Sequence, residues 1–367
     1  TRLLPWGKYQ NVLWTALTQI SRHQSREANI INLICSILDS FHFVVEEPVF
    51  SENGEIDEKS KESFIWRQLN GKLIPTIDGL LMKDIVDRKG TKNKSLRAPI
   101  ALALVKLLRK LPNEMFKSKF PRLVTVICQA LRNRDSDERD VARKTMSKIV
   151  LEIETKYLID IFQEMAITLN EGYKLHVRTA TLHSILLSLS KAEGVFPSQS
   201  FDNCVPSIVD ILQQDIFGTA SEMKEAEATK KRLVKEAGGS KGLGCIEFVS
   251  RMIDFSPAKF VDASSNSSSI HTLVNPFLSR LQDPQVPSSV IRKVKEVLNK
   301  VILGLSQNLS VASEEMLPFV YATISPFLIL DSRINEEDDE DIDDDQPDTY
   351  EDNVEVGVEV TIDVKDG

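Results

Sequence analysis

The chain has 367 residues, 42% hydrophobic and 7% aromatic side chains, and a formal net charge of −9. That composition suits a folded protein too long for one small core, and no apolar run approaches the roughly 20 residues needed to cross a bilayer. The charge is divided: from Asp331 onward 17 acidic residues stand against Arg333 and Lys365, which leaves the first 330 residues at +6.

Taken in order, the chain reads as helix after helix from its start, with no strand-like alternation before the tail. Thr1 rather than Met opens it, so it reads as a segment of a longer protein. "LLPWGKYQNVLWTAL" and "ICSILDSFHF" form a first pair of amphipathic stretches. A polar loop follows over 46–62. "DRKGTKNKSLR" then turns into the next helix. "FPRLVTVICQALRNRDSDERDVARKTMSKIVLEI" gives a helix from Phe120 to Leu131, a charged turn, and a second helix from Asp140 to about Ile153. Pro121, Pro206 and Pro276 are expected at helix starts, where a missing N–H is tolerated. "EAGGSKGLG" (236–244) holds four glycines and reads as a flexible link, and the Ser-rich stretch 256–269 as a mobile insertion. The acidic segment 331–367 is expected to stay solvated and disordered; within it, "VEVGVEVTIDV" alternates like a short strand. The four cysteines, Cys35, Cys128, Cys204 and Cys245, lie far apart without a CxxC pair and are expected as buried free thiols.

The helices repeat. A branched apolar residue, a small or apolar one at +4 and an apolar one at +8 recur as Leu96, Ile100, Leu104; as Val141, Thr145, Ile149; as Val177, Thr181, Ile185; and as Val290, Val294, Leu298. The first three starts are 45 and 36 residues apart, and the last gap of 113 has room for three units. Helix, short polar turn, helix at that period is the layout of HEAT repeats, whose pairs bury both apolar faces only by stacking. The expected fold is therefore all-α, a HEAT/armadillo-like helical-repeat solenoid over 1–330, with the acidic low-complexity tail 331–367 beyond it. Ala142 departs from the pattern, standing where HEAT units usually carry a basic residue.

No catalytic constellation emerges. "GGSKGLG" fails as a phosphate loop because Lys241 is followed by Gly242 rather than Ser or Thr, and as a dinucleotide fingerprint because the third glycine is replaced by Glu247. The lead-in "SEMKEAEATKKRLVKEA" is helix-forming, where both motifs need a strand. The nearest histidines, His176 and His183, are two helical turns apart without further ligands and read as structural. No cofactor, metal or small-molecule substrate is expected. What remains is charge. Arg88, Lys89, Lys92, Lys94 and Arg97 form one basic cluster; Lys230, Lys231, Arg232, Lys235 and Lys241 a second; Arg292, Lys293 and Lys295, with Lys300 further along, a third. Such clusters can neutralise phosphates without reading sequence, or can simply be solvated faces. No aromatics interleave with them to stack bases.

Three stretches carry a family resemblance. They are "LLPWGKYQNVLWTAL" with the Phe-His-Phe of 41–43, "DIFGTASEMKEAEATKKRLVKEAGGSKGLGCIEFVSRMI" over 215–253, and "LVNPFLSRLQDPQVPSSVIRKVKEVLNKVILGLSQN". Together they resemble the U3 small nucleolar RNA-associated protein 20 family, very large HEAT-repeat subunits of the small-subunit processome, over most of 3–330. The resemblance implies a non-catalytic stretch of scaffold that contacts pre-ribosomal RNA and assembly proteins in the nucleus and nucleolus. The alternative from another class is a HEAT-repeat transport receptor or adaptor that binds proteins only.

Overall fold

The computed structural model describes residues 3–45, 61–86, 92–192, 201–218, 220–221, 235–255, 269–283, 285–312 and 314–323. Residues 1–316 form one unit; of the second, 317–367, residues 317–323 are described and are helical. The expectations for the acidic tail, for 46–60 and for 256–268 lie outside the described residues.

Before the helical run 314–323 come α1 (Trp6–Arg22), α2 (Glu27–Asp39), α3 (Lys61–Gln68), α4 (Ile74–Leu80), α5 (Ala98–Leu108), α6 (Asn113–Leu131), α7 (Ser136–Ile149), α8 (Leu158–Thr168), α9 (Lys174–Lys191), α10 (Val205–Ile216), α11 (Lys241–Met252), α12 (Ser269–Leu278) and α13 (Ser288–Leu305). None of them is long and apolar enough to cross a membrane. A five-residue π segment, Leu69–Leu73, joins α3 to α4.

The fold is an all-α helical-repeat solenoid in two layers. In the inner layer α2, α5, α7, α9, α11 and α13 pack in that order, each against the next, while α6, α8, α10 and α12 form the outer layer. Side chains show that the inner helices run parallel. At one edge, their N-terminal ends meet: Arg97 pairs with Glu27 at 3.3 Å, Ser95 donates to Glu138 at 3.1 Å, and Glu236, just before α11, binds Arg139 in the first turn of α7. At the other edge Lys106 near the end of α5 reaches Asp39 at the end of α2 and Glu152 beyond α7, and Asn308 beyond α13 donates to the Ser250 and Ile253 carbonyls at the end of α11. Parallel neighbours of this kind require each polypeptide link to return through the outer layer, which is what the helix–turn–helix period encodes.

α9 sits in the middle of the stack. Its Leu175, Val177, Leu182, Ile185, Leu186 and Leu189 are all buried, as are the small or polar Thr179, Ala180 and Thr181 between them. The repeat spacing marks core positions at Ile100, Leu104, Thr145, Ile149, Val177, Thr181, Ile185 and Val294. In α7 the register differs: Val141 is 44% exposed, and Ala142 takes the core position, with the buried basic residue three places earlier at Arg139. The four cysteines are free and buried; burial raises the thiol of Cys35 to about 11 and of Cys204 to about 12.

Several expectations are corrected. Two strands precede α5: β1 (Met82–Val86) and β2 (Lys92–Leu96) pair antiparallel with Met82 opposite Leu96. They lack the apolar–polar alternation that marks a half-buried strand, so periodicity could not reveal them. An isolated two-stranded hairpin is marginal in water; this one is tied down where the Arg97 N–H donates to the Leu81 carbonyl at 2.7 Å and the Arg97 guanidinium to the Leu80 carbonyl at 3.3 Å. Pro206 does sit in the first turn of α10, but Pro121 and Pro276 lie inside α6 and α12. α6 extends back to Asn113 because Phe116 and Phe120 both belong to the core, and Pro121, being exposed, leaves its freed carbonyl partner to water. α7 begins at Ser136 because the Asp135 carboxylate caps it by accepting from the Asp137 N–H at 2.8 Å.

Candidate nucleic-acid interface

The glycine stretch 236–244 is not a flexible link. Residues 235–237 form a 3-10 turn and α11 starts at Lys241, so Gly242 and Gly244 are helical. Their lack of a side chain serves packing. A Cβ on Gly242 would lie 2.5 Å from Asp215 Oδ2 of α10, and one on Gly244 would lie 2.9 Å from His183 Nε2 of α9. Only Gly239, with φ +77°, uses the conformational freedom of the residue.

Ahead of α11, Glu236 is 4% exposed and accepts two hydrogen bonds from Arg139, at 2.7 and 2.8 Å, and a third from Arg143 at 2.9 Å. Arg139 also donates to the Asn133 and Arg134 carbonyls and lies 5.7 Å from the centre of the Tyr173 ring. Burial pushes the Glu236 carboxyl upward, but the Arg139 and Arg143 contacts outweigh it and hold it below the usual range. Lys235 pairs with Asp140 at 2.6 Å, and Lys241 turns back to donate to the Glu236 and Gly238 carbonyls at 2.8 and 2.5 Å. The segment is a clasp between the start of α11 and the start of α7, across α9.

This arrangement sorts the sequence-predicted cations. Arg88, Lys89, Lys230, Lys231 and Arg232 lie outside the described residues, and Lys92 and Lys94 are on β2 with side chains likewise outside them. Arg97, Lys235 and Lys241 are engaged within the fold, as above, and Lys293 donates to Ser221 Oγ at 2.8 Å. Arg292 and Lys295 are exposed on α13, while Lys300 pairs with Glu247 at 2.8 Å. The structure places the described members of the three clusters on β2, at the start of α5, at the entry to α11 and on α13. It also puts one exposed cation in the last turn of each of three inner helices, a set that no stretch of sequence groups together: Lys148 on α7, Lys191 on α9 and Arg251 on α11. Lys106 of α5, Lys148 and Lys191 follow one another at 42 and 43 residues, close to the repeat period that could have found them, whereas Arg251 comes 60 residues later, beyond the stretched unit.

His176 and His183 both lie on α9. His176 is buried, and His183 is half-buried with its ring 5.4 Å from that of Phe248; burial first, and Lys241 second, lower its pKa. Among the described residues no group of three or more His, Cys, Asp or Glu is placed to hold a metal ion.

Residues 87–324 match the family model described as U3 small nucleolar RNA-associated protein 20 domain. The chain belongs to that family. Among similar proteins, the U3 small nucleolar RNA-associated protein 20 of Schizosaccharomyces pombe is 28% identical over 331 residues, covering 86% of this chain and 12% of the relative. Its namesake in Saccharomyces cerevisiae is 30% identical over 253 residues, covering 68% of this chain and 9% of the relative. The chain thus spans about a tenth of the length of the curated relatives it matches.

Proposed function

We propose that this chain is a non-catalytic stretch of helical-repeat scaffold in the small-subunit processome, acting in pre-rRNA processing and small ribosomal subunit biogenesis in the nucleolus. The observation that carries the reading is the family match over 87–324, which falls on a stacked solenoid. A solenoid offers long surfaces of exposed helix rather than a closed cleft, and it acts by holding partners at fixed separations. The names of the relatives associate them with U3 small nucleolar RNA; by extension, the partners here are pre-ribosomal RNA and ribosome-assembly proteins. Exposed cations such as Arg292 and Lys295, with the runs 88–94 and 230–232, supply sequence-independent phosphate contacts.

Crosslinking tests the proposal. In particles purified through the full-length protein, crosslinks from this segment to pre-rRNA and to assembly proteins are expected. Crosslinks to transport cargo alone, with none to RNA, would replace the reading with that of a protein-binding receptor.

A further inference from the structure

The edge of the solenoid where the inner helices end has a charge pattern that the sequence clusters do not predict. Several of its acids are paired within the fold. Asp39 and Glu152 are bound by Lys106, Glu152 also by Arg109 at 2.9 Å, and Glu154 by Lys156 at 2.5 Å. Asp202 accepts from the Asp254 N–H at 3.1 Å. Lys148, Lys191 and Arg251 stand exposed toward the same edge, one in the last turn of each of the parallel helices α7, α9 and α11. Packed helices lie about 8–10 Å apart, so the axes that carry the three cations span roughly 20 Å from first to last. A cation in a final helical turn also offsets the helix dipole, which explains one per helix; it does not require them to stand outside the ion pairs formed among the described residues.

We infer that the edge defined by Lys148, Lys191 and Arg251 is a phosphate-tracking surface that seats the backbone of one RNA segment along the solenoid. The inference rests on the proposed RNA-associated function and adds the place where RNA runs. One exposed cation per packed helix suits a repeating polyanion, and lysine and arginine side chains engage phosphate backbone rather than stack on bases.

The test measures binding of the 367-residue chain to a fluorescent RNA duplex, and separately to a single strand, each of about 20 nucleotides, as a function of salt. Changing Lys148→Gln, Lys191→Gln and Arg251→Gln together is expected to weaken binding at least tenfold. It should also reduce the slope of log affinity against log salt by roughly one per cation removed. A matched triple at the opposite edge, Arg26→Gln, Arg132→Gln and Arg134→Gln, is expected to leave the slope unchanged; thermal unfolding checks that both variants fold. If the first triple binds as the parent chain does, or if the second loses as much, the edge assignment is overturned while RNA association stands. If the parent chain binds neither RNA, the proposed function fails with it. If an acidic peptide binds through this edge and RNA does not, the partner is a protein and the inference is wrong.

Discussion

Two joints in the inner layer hold helices together by opposite means. Between α11 and α13 the contact is a close approach of backbones, with one partly exposed ion pair, Lys300 with Glu247, beside it. Gly304 lets α13 approach until a Cβ there would overlap the Glu247 carbonyl oxygen and lie 3.1 Å from the Arg251 nitrogen, and Asn308 then closes the end with bonds of 2.9 and 2.8 Å to α11 carbonyls. Between α7 and the start of α11 the contact is a buried ionic clasp, Glu236 with Arg139 and Arg143, where side chains span what backbones do not. The first joint depends on shape, the second on complete pairing of charges removed from water. They should therefore fail differently.

The largest effect is expected at the clasp. Glu236→Leu leaves Arg139 buried without its partner and should cost about 3–5 kcal/mol in urea unfolding, whereas the double change Glu236→Leu with Arg139→Met should recover most of the loss. A double variant as unstable as the single one would mean that the clasp is not set by charge. At the glycine joint, Gly304→Ala should cost about 1–3 kcal/mol, and no change in salt should alter that figure. Asn308→Ala, which removes two donors to buried carbonyls and the acceptor for Ser310, should cost about 1–2 kcal/mol. The smallest effect is a pH dependence. His183 and His271 are held below the ordinary 6.5 by burial, so the unfolded chain takes up protons first and stability falls as pH drops below 6.5. His183→Gln should flatten that decline. Glu236, lowered from 4.5, keeps the clasp closed through this range; its contribution is present above 4.5 and is lost only as pH falls further through its folded value.

Much of the fold was legible because helical stacking writes itself into the sequence as period and spacing. Val177, Thr181 and Ile185 were marked as one core face and are fully buried or nearly so. The hairpin 82–96 was not legible, since its strands are anchored by the Leu81 and Leu80 carbonyls rather than by alternating apolar residues. Nor was the start of α11: glycine is a poor helix former, and only the crowding by Asp215 and His183 shows why Gly242 and Gly244 are tolerated in a helix. Lys241 looked like a phosphate contact until its ammonium was seen closing on two carbonyls of its own loop. The charge pairs that decide which cations face outward join residues as far as 97 apart, beyond the reach of any local pattern.

The clasp also bears on how the array comes apart. In a stack where each unit touches only its neighbours, the end can fray one pair at a time, and stability is a sum of adjacent terms. Glu236 breaks that rule by fastening the entry to α11 onto α7, past the intervening α9. Peeling α11 and α13 from the end must therefore undo a contact two helices back in the inner layer, which welds α7, α9 and α11 into a single block that opens together.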